Sequence, residues 1–392
     1  MTPAAIITVI SAYFAVILFI SWFTGRKSDN AGFFSGNRKQ SWYVVAIAMI
    51  GSAMSGVTFV SVPGMVATSG FGYMQMALGF IAGQIVIAFV LIPLFYRMNL
   101  VSIYGYLENR FGLSSYRTGA WFFFISKMLG ASVRLYLVCI ALQMMVFGPL
   151  GLPFIVNVAV TVLILIAYTF RGGVKAVIWI DFLKTFCMIV SIALCTIFIS
   201  KSLGFTFGSM CEAVAGSDMS RIFYFDDPDH PQYFFKQFFG GMFTLIAMTG
   251  LDQDMMQRSL TCKNFRDSQK NIITSALLQT VVIFLFLTLG VLLYFFAGAN
   301  GIDATGDTLF PAVATSGLLP AVVGIVFVVG LVSCSYAAGG SALTALTTSF
   351  TVDILGTAGK SEKEVKSMRE KVHIGMAVCM GLTIAVFNFI NN

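Results

Sequence analysis

Ten apolar segments, each long enough to cross a bilayer, dominate this chain. They lie at roughly 3–24, 41–68, 74–96, 119–147, 152–170, 174–200, 234–256, 271–297, 318–350 and 372–390. A membrane-spanning helix needs about 20 mostly apolar residues. With 58% hydrophobic and only 10% charged residues, the chain has too little charge to cover the surface of a soluble protein. The sequence therefore predicts an all-α polytopic membrane protein.

The basic residues predict how these spans are oriented. If the N-terminus is outside, most of the 24 Lys and Arg residues fall in cytoplasmic loops, and the opposite side holds only Lys201, Arg221 and Lys236. Lys and Arg accumulate in the cytoplasmic loops of membrane proteins. We therefore expect a multi-pass protein of the inner (plasma) membrane with its N-terminus outside. The net charge of +7 is then a consequence of topology, and no nucleic-acid partner is expected.

The second apolar segment contains a weak point at residues 50–58, Ile-Gly-Ser-Ala-Met-Ser-Gly-Val-Thr. Glycine disfavours helix interiors, and transporters place substrate and ion sites at breaks in the middle of a span. Small residues also allow helices to pack closely in membranes. On this stretch alone, both interpretations stay open.

Two ionisable residues in the middle of spans are candidates for function, because a charge at membrane depth is costly. The guanidinium of Arg134 suits a carboxylate, which it can bind through two hydrogen bonds; a structural salt bridge to another span is the alternative. Asp181 can ligate a hard cation such as Na⁺ or hold a proton, or it can simply pair with Lys184, three residues later on the same helical face.

Other charged residues near the inner ends of spans receive structural interpretations. Lys127 is expected to extend its ammonium to the membrane interface. Asp252, Asp254 and Asp353 are expected to be ordinary helix caps and interface residues.

A fold of two inverted five-helix repeats is common among transporters. On this plan the chain is a single transmembrane transporter domain, 1–392. Segment 3–24 is an extra N-terminal helix, 41–200 is the first repeat, and 234–392 is a second repeat. Only four spans remain for the second repeat, so its last core helix is missing.

Five stretches together resemble the sodium:solute symporter family, which includes sugar, proline, sialic acid, pantothenate and iodide carriers. They are residues 33–38, 50–58, 177–181, 250–258 and 343–353. The resemblance covers essentially the whole chain. It implies a leucine-transporter-like fold with alternating access, in which inward Na⁺ flux drives solute uptake. Because members usually continue through a tenth core helix, the sequence is expected to be C-terminally truncated.

The resemblance also implies the residues of a substrate site and two cation sites. Solute would face Ser55, Thr58 and Gln75, and Arg134 would bind a substrate carboxylate as in sialic acid carriers. The main sodium site would use backbone carbonyls, and an acidic residue serves a second sodium ion in some members. The corresponding positions here are Gly51, Met54 and Cys334 for the carbonyls and Asp181 for the acid.

One departure affects the main sodium site. Family members usually carry two adjacent hydroxyl residues one turn after the Cys334 position, where this chain has Ala337 and Ala338. Ser341 is the next hydroxyl and is the remaining predicted ligand. A hard cation needs oxygen ligands, so the site would be under-coordinated. The family's usual glutamine three residues after the aspartate is Lys184 here, and its ammonium could stand in for the cation.

These observations predict a secondary active transporter that couples Na⁺ to import of a small organic solute, anionic and sialic acid-like or sugar-like. The alternatives are a proton-coupled or uncoupled carrier that uses Lys184 and Asp181, and a sensor that binds solute without transporting it. An enzyme is not expected, because the chain has no HExxH, GxSxG or nucleophile–histidine pair. The expected partners are a small-molecule solute, Na⁺ and the lipid bilayer; the oligomeric state is not predicted.

Overall fold

The computed structural model describes residues 3–26 and 29–391, apart from the side chains of residues 3–6, 141, 144, 145, 335, 337 and 391. Its helices in chain order are α1 Pro3–Gly25, α2 Asn30–Ser35, α3 Trp42–Ala53, α4 Gly56–Gly64, α5 Val66–Ser69, α6 Tyr73–Val86, α7 Ile92–Arg97, α8 Gly105–Phe111, α9 Leu113–Leu142, α10 Phe154–Thr169, α11 Gly173–Ser202, α12 Phe207–Ala215, α13 Phe234–Leu245, α14 Gln253–Ser259, α15 Phe265–Ala299, α16 Leu309–Thr315, α17 Ala321–Ser349 and α18 Glu362–Asn391. Short π-helical turns follow several of them, at Ile87–Leu91, Gln143–Phe147, Ile246–Gly250 and Phe350–Ile354, and 3-10 turns lie at Gly36–Arg38, Asp218–Ser220 and Gly306–Thr308. No β-strand forms within the described ranges, and the predicted all-α class is confirmed.

All ten predicted spans correspond to helical units. In the described part of the chain, seven helices are long and apolar enough to cross a membrane. Two pairs, α3 with α4 and α13 with α14, are bent by 68° and 74° at short breaks, and each pair can form one span. The remaining unit, α10, is a shorter apolar helix of 16 residues.

The first and sixth core spans are therefore both broken, which is where each predicted repeat begins. At the first break, Met54 and Ser55 adopt extended backbone conformations, and α4 restarts at Gly56. At the second break, Asp252 is the N-cap of α14, and its side chain accepts a hydrogen bond from the Met255 N–H. A break at equivalent positions agrees with an inverted-repeat plan; the exact division into 41–200 and 234–392 stays a prediction.

Helix α11 lies at the centre of the bundle, packed against α3, α15 and α17. The contact with α3 is close at Gly51, where a Cβ atom would lie 2.5 Å from Thr185 Oγ1 and 2.7 Å from the Asp181 carbonyl oxygen. Thr185 also donates a 2.8 Å hydrogen bond to the Ile47 carbonyl. The end of α3 is thus held against the middle of α11.

The C-terminal half of the broken span, α4, is anchored by aromatic packing. Phe59 is fully buried, and its ring lies 5.3–5.9 Å from those of Phe286, Phe310 and Phe327. Aromatic pairs at such separations add specific geometry to a large buried area. The two halves of the broken helix are therefore fixed by different neighbours, with the break between them.

Candidate solute and cation site

The break between α3 and α4 exposes two backbone carbonyls. In a continuous helix, the carbonyls of Gly51 and Met54 would accept hydrogen bonds from the N–H groups of Ser55 and Thr58. Those N–H groups instead bond to each other's side chains in a capping box, with donor–acceptor distances of 3.3 Å. The C-terminal end of α3 therefore presents free carbonyls and the partial negative charge of a helix end.

Asp181 joins three helices at this level. Its carboxylate is fully buried, and Oδ2 accepts hydrogen bonds from Ser52 Oγ at 2.6 Å and Ser341 Oγ at 3.3 Å. Oδ2 also lies 3.6 Å from Nε of Arg258, a distance for an ion pair rather than a hydrogen bond. The other oxygen, Oδ1, has no hydrogen-bond partner in the described structure.

A series of opposite charges extends from Asp181 towards the predicted cytoplasmic side. Arg258 donates a 2.5 Å hydrogen bond to Asp254, and Asp254 lies 2.8 Å from Lys127 Nζ. Lys127 also contacts Asp252 at 3.1 Å. Buried charges need such partners because removal from water is costly.

The contacts of Lys127, Asp254 and Asp353 contradict two predictions made from the sequence. Lys127 does not extend towards the interface, because it turns inward to the aspartates. Asp254 is not a cap but a buried ion-pair partner, and Asp353 is likewise buried and accepts hydrogen bonds from Ser102, Tyr116 and Ser349. Sequence reasoning missed Arg258 altogether, although its i, i+4 spacing from Asp254 was a visible signal.

Lys184 has an unexpected environment. The side chain is fully buried, and its ammonium makes no hydrogen bond within the described structure. No ion pair with Asp181 forms, so the proposed pairing along one face of α11 is wrong; Asp181 pairs with Arg258 instead. Lys184 Cδ lies 3.4 Å from the place a Cβ would take on Gly51. The lysine side chain thus packs against Gly51, near the end of α3.

Arg134 and Ser55 lie where two cavities meet. The first, called the outer cavity after the predicted orientation of the chain, has a volume of about 260 Å³ and reaches Asp307. The inner cavity has a volume of about 800 Å³ and reaches Lys127 and Asp252. Both cavities share Arg134, Ser55 and Ala338. Arg134 is exposed to this space and makes no hydrogen bond or ion pair with any described residue, so its guanidinium is free to bind an anion.

The other predicted substrate residues are distributed unequally. Thr58 lines the inner cavity. Gln75 is fully buried and lines neither cavity. Its Nε2 donates a 2.8 Å hydrogen bond to the Gln232 carbonyl, and its Oε1 accepts one of 3.1 Å from the Tyr224 N–H. Gln75 therefore connects α6 to the loop before α13, and its role in substrate binding stays a prediction.

One known protein family matches nearly the whole chain. The model of the sodium:solute symporter family matches residues 33–391. The chain belongs to the sodium:solute symporter family.

Individual relatives of this symporter-family chain are distant. It is 25% identical over 378 residues to the sodium/sialic acid symporter NanT of Aliivibrio fischeri, covering 91% of this chain and 71% of the relative. It is 26% identical to the human sodium/iodide cotransporter over 69% of this chain and 43% of the relative. It is also 26% identical to human sodium-coupled monocarboxylate transporter 2, over 76% of this chain and 50% of the relative. The chain thus spans about half the length of two of these three relatives.

Solved structures share the fold. A Na⁺-coupled sialic acid symporter in a substrate-bound, outward-open state aligns with a TM-score of 0.86 at 19% identity, over 98% of this chain and 82% of that one. A transporter of the nucleobase-cation-symport-1 family aligns with a TM-score of 0.55 at 14% identity, over 91% of this chain and 75% of that one. The predicted leucine-transporter-like fold is confirmed.

The main sodium site implied by the family can be tested against these residues. Gly51 and Met54 offer free carbonyls, whereas Cys334 lies within the continuous helix α17, where its carbonyl already accepts a helical hydrogen bond and has only its second lone pair for an ion. Ala338 presents a methyl group, and the side chain of Ala337 lies outside the described residues. A fully buried ammonium lies alongside. This position offers few oxygen ligands and has a positively charged neighbour. Both features disfavour the binding of Na⁺ here.

The second cation position fits better. The unpartnered Oδ1 of Asp181 and the hydroxyls of Ser52 and Ser341 are oxygen donors around one carboxylate, whose other oxygen, Oδ2, accepts both hydroxyls and lies 3.6 Å from Arg258 Nε. Carboxylate and hydroxyl oxygens are suitable ligands for a hard cation.

Proposed function

We propose that this chain is a secondary active transporter of the plasma membrane that uses inward Na⁺ flux to import a small organic anion. Arg134 and Ser55 carry this proposal, because they line both the outer and the inner cavity. A solute bound between them can be reached from either side in turn as the helices move, which is the requirement of alternating access. The N-terminus would lie outside, as the basic loops predict.

The free guanidinium of Arg134 supports an anionic solute. Arginine binds carboxylates through paired hydrogen bonds, and no described side chain competes for it. The outer cavity is otherwise lined mainly by aliphatic side chains, including Val57, Val60, Leu137 and Val138. This lining favours a carboxylate on a small, largely apolar body. The cargoes named for the three relatives, iodide, sialic acid and monocarboxylates, are all anions.

Sodium coupling has two supports. The named relatives are sodium-coupled, which favours Na⁺ over the proton-coupled alternative. In this chain the fitting residues are Asp181, Ser52 and Ser341. Bound there, Na⁺ would supply the driving gradient. Ser52 lies in the last turn of α3 and lines the inner cavity, so an ion at Asp181 would hold the helix that ends beside Ser55. This connection would link ion occupancy to the solute site.

Uptake into proteoliposomes tests the proposal. The full chain is reconstituted, and accumulation of labelled lactate, sialic acid and iodide is measured with an inward Na⁺ gradient and with an equal choline gradient. We expect Na⁺-dependent accumulation of at least one of these anions. Equal uptake under both gradients would contradict sodium coupling.

Arg134→Ala tests the anion site separately. Loss of a hydrogen bond to a charged group typically costs about 1.5–3 kcal/mol, or roughly 10- to 150-fold in affinity. Arg117→Ala is a matched control, since Arg117 lies on the same helix, is exposed and lines neither cavity. Similar half-saturating solute concentrations for the two variants would exclude Arg134 as the anion ligand.

A further inference from the structure

Lys184 and the break in the first core span form a unit that the proposed function does not use. The lysine ammonium is buried without a hydrogen-bond partner in the described structure. Its side chain runs past Gly51, and the Cys334 side chain and the Asp181 carboxylate are electrostatic neighbours of its ammonium. The Lys184 side chain therefore lies near Gly51 and Cys334, two of the three positions whose carbonyls would form the family's main sodium site.

The surroundings of Lys184 include negative groups that attract a positive charge to this point. The C-terminal end of α3 carries partial negative charge, and the carbonyls of Gly51 and Met54 have no backbone donors in the described structure. Asp181 contributes a nearby carboxylate. A buried ammonium is costly unless such groups compensate it. The guanidinium groups of Arg258 and Arg134 are also electrostatic neighbours of Lys184, so the negative groups here already face three fixed positive charges.

The same surroundings disfavour a further positive charge. Two unit charges about 4 Å apart at an effective dielectric constant of about 20 repel strongly enough to weaken binding about a thousandfold. Sodium beside the Lys184 ammonium would meet this repulsion. It would also lack the hydroxyl ligands, since Ala337 and Ala338 occupy the family's hydroxyl positions.

We infer that the Lys184 ammonium permanently replaces the main sodium ion, so that the exchangeable cation of this chain binds only at the Asp181 cluster. The two departures from the family pattern, Lys184 and the alanines at 337 and 338, then have one explanation. Methyl groups at 337 and 338 remove ligands that a small ion needs and that a tethered ammonium does not. The inference rests on the proposed function only in treating the break as part of a transport site.

The test is to count bound ²²Na⁺ at equilibrium on the purified full chain, which requires neither a solute nor a gradient. Four variants are compared with the unmodified chain: Lys184→Gln, the pair A337S/A338S, the combination K184Q/A337S/A338S, and Lys201→Gln. Lys201 is the matched control, because it is an exposed lysine on the same helix. We expect only the combination to bind one more Na⁺ than the unmodified chain. The serine pair alone should gain nothing, because the ammonium is still present.

Three results would overturn the inference: two Na⁺ ions on the unmodified chain, an extra ion on the serine pair alone, or a folded combination that binds no more than the unmodified chain. If the combination does not fold, Lys184→Gln decides by its melting temperature in NaCl and in choline chloride. Without binding an extra ion, this variant loses the repulsion between the Lys184 ammonium and Na⁺ at Asp181, so Na⁺ should stabilise it more than it stabilises Lys201→Gln, and equal stabilisation refutes the inference. Failure of Na⁺-driven uptake would contradict the proposed function. The number of Na⁺ ions bound by each variant could still be compared, so the two failures can be distinguished.

Discussion

The hydroxyl of Ser52 donates a 2.6 Å hydrogen bond to Asp181 Oδ2 and so ties the last turn of α3 to α11. Ser52 precedes the break by two residues, and its side chain lines the inner cavity. The carboxylate proposed to bind the ion is thus in direct contact with the helix whose end contributes to the solute site. The connection passes through one hydrogen bond, which a single substitution can remove.

Ser52→Ala should lower the apparent affinity for Na⁺. The variant loses one oxygen donor to the ion and one hydrogen bond to a charged group, worth about 1.5–3 kcal/mol, so we expect roughly a tenfold or larger rise in half-saturating Na⁺. The Na⁺ dependence of ²²Na⁺ binding measures it. Ser61→Ala, in the C-terminal half of the same span, is the control and should leave the curve in place. An unchanged curve for Ser52→Ala would remove Ser52 from the ion site.

Arg258→Gln should strongly destabilise the protein. Arg258 is 1% exposed and faces both Asp181 and Asp254. Its removal leaves two buried carboxylates short of a counter-charge, and breaking a buried pair in this way typically costs about 3–5 kcal/mol. Thermal unfolding in detergent measures the loss. Arg266→Gln changes an exposed arginine close by in sequence and should unfold like the unmodified chain; a similar result for Arg258→Gln would show that the buried pair is not needed.

The contact between Asp181 and Arg258 could not be predicted from the sequence, whereas the spans and the break could. Spans depend on length and composition, which are local, so all ten were predictable. The break was predictable from the glycines and hydroxyls at residues 50–58. The partner of Asp181 was not, because it depends on how α11 crosses α14. The near neighbour Lys184 lies on the same helix, yet its ammonium makes no hydrogen bond in the described structure, and Arg258 reaches the carboxylate from another helix.

Arg134→Lys should weaken solute binding while keeping the charge. Lysine is a point donor and cannot form the paired, planar hydrogen bonds that a guanidinium makes with a carboxylate. If one of two hydrogen bonds is lost, affinity should fall by about 1.5 kcal/mol, or roughly tenfold. Competition binding with a carboxylate solute measures the change, with Arg117→Lys as the control. Full affinity in Arg134→Lys would indicate that only charge is recognised.

Gln75→Ala distinguishes a structural role from substrate contact. The amide of Gln75 is fully used by the Gln232 carbonyl and the Tyr224 N–H. Its loss should leave a half-buried donor and acceptor to be satisfied by water, at a cost of about 1 kcal/mol each, and should loosen the loop before α13. Hydrogen exchange at Tyr224 should therefore accelerate, while solute affinity changes little. A large loss of affinity with normal exchange would instead support the substrate contact that the family resemblance implies.

Gly51→Ala tests the close approach on which the break depends. A Cβ atom at Gly51 would lie 2.5 Å from Thr185 Oγ1 and 2.7 Å from the Asp181 carbonyl oxygen. Neither atom can easily move, because Thr185 is hydrogen-bonded to α3 and the carbonyl is part of α11. Overpacking of this kind typically costs about 1–3 kcal/mol. Gly240→Ala is the control, since nothing lies within 4 Å of its Cβ position, and alanine in a helix is favoured over glycine by about 0.5–1 kcal/mol. The melting temperatures of the two variants should therefore move in opposite directions. A melting temperature of Gly51→Ala that does not fall would mean that α3 and α11 can separate at Gly51, and the free carbonyl, Asp181 and Lys184 would then not be held together as a site.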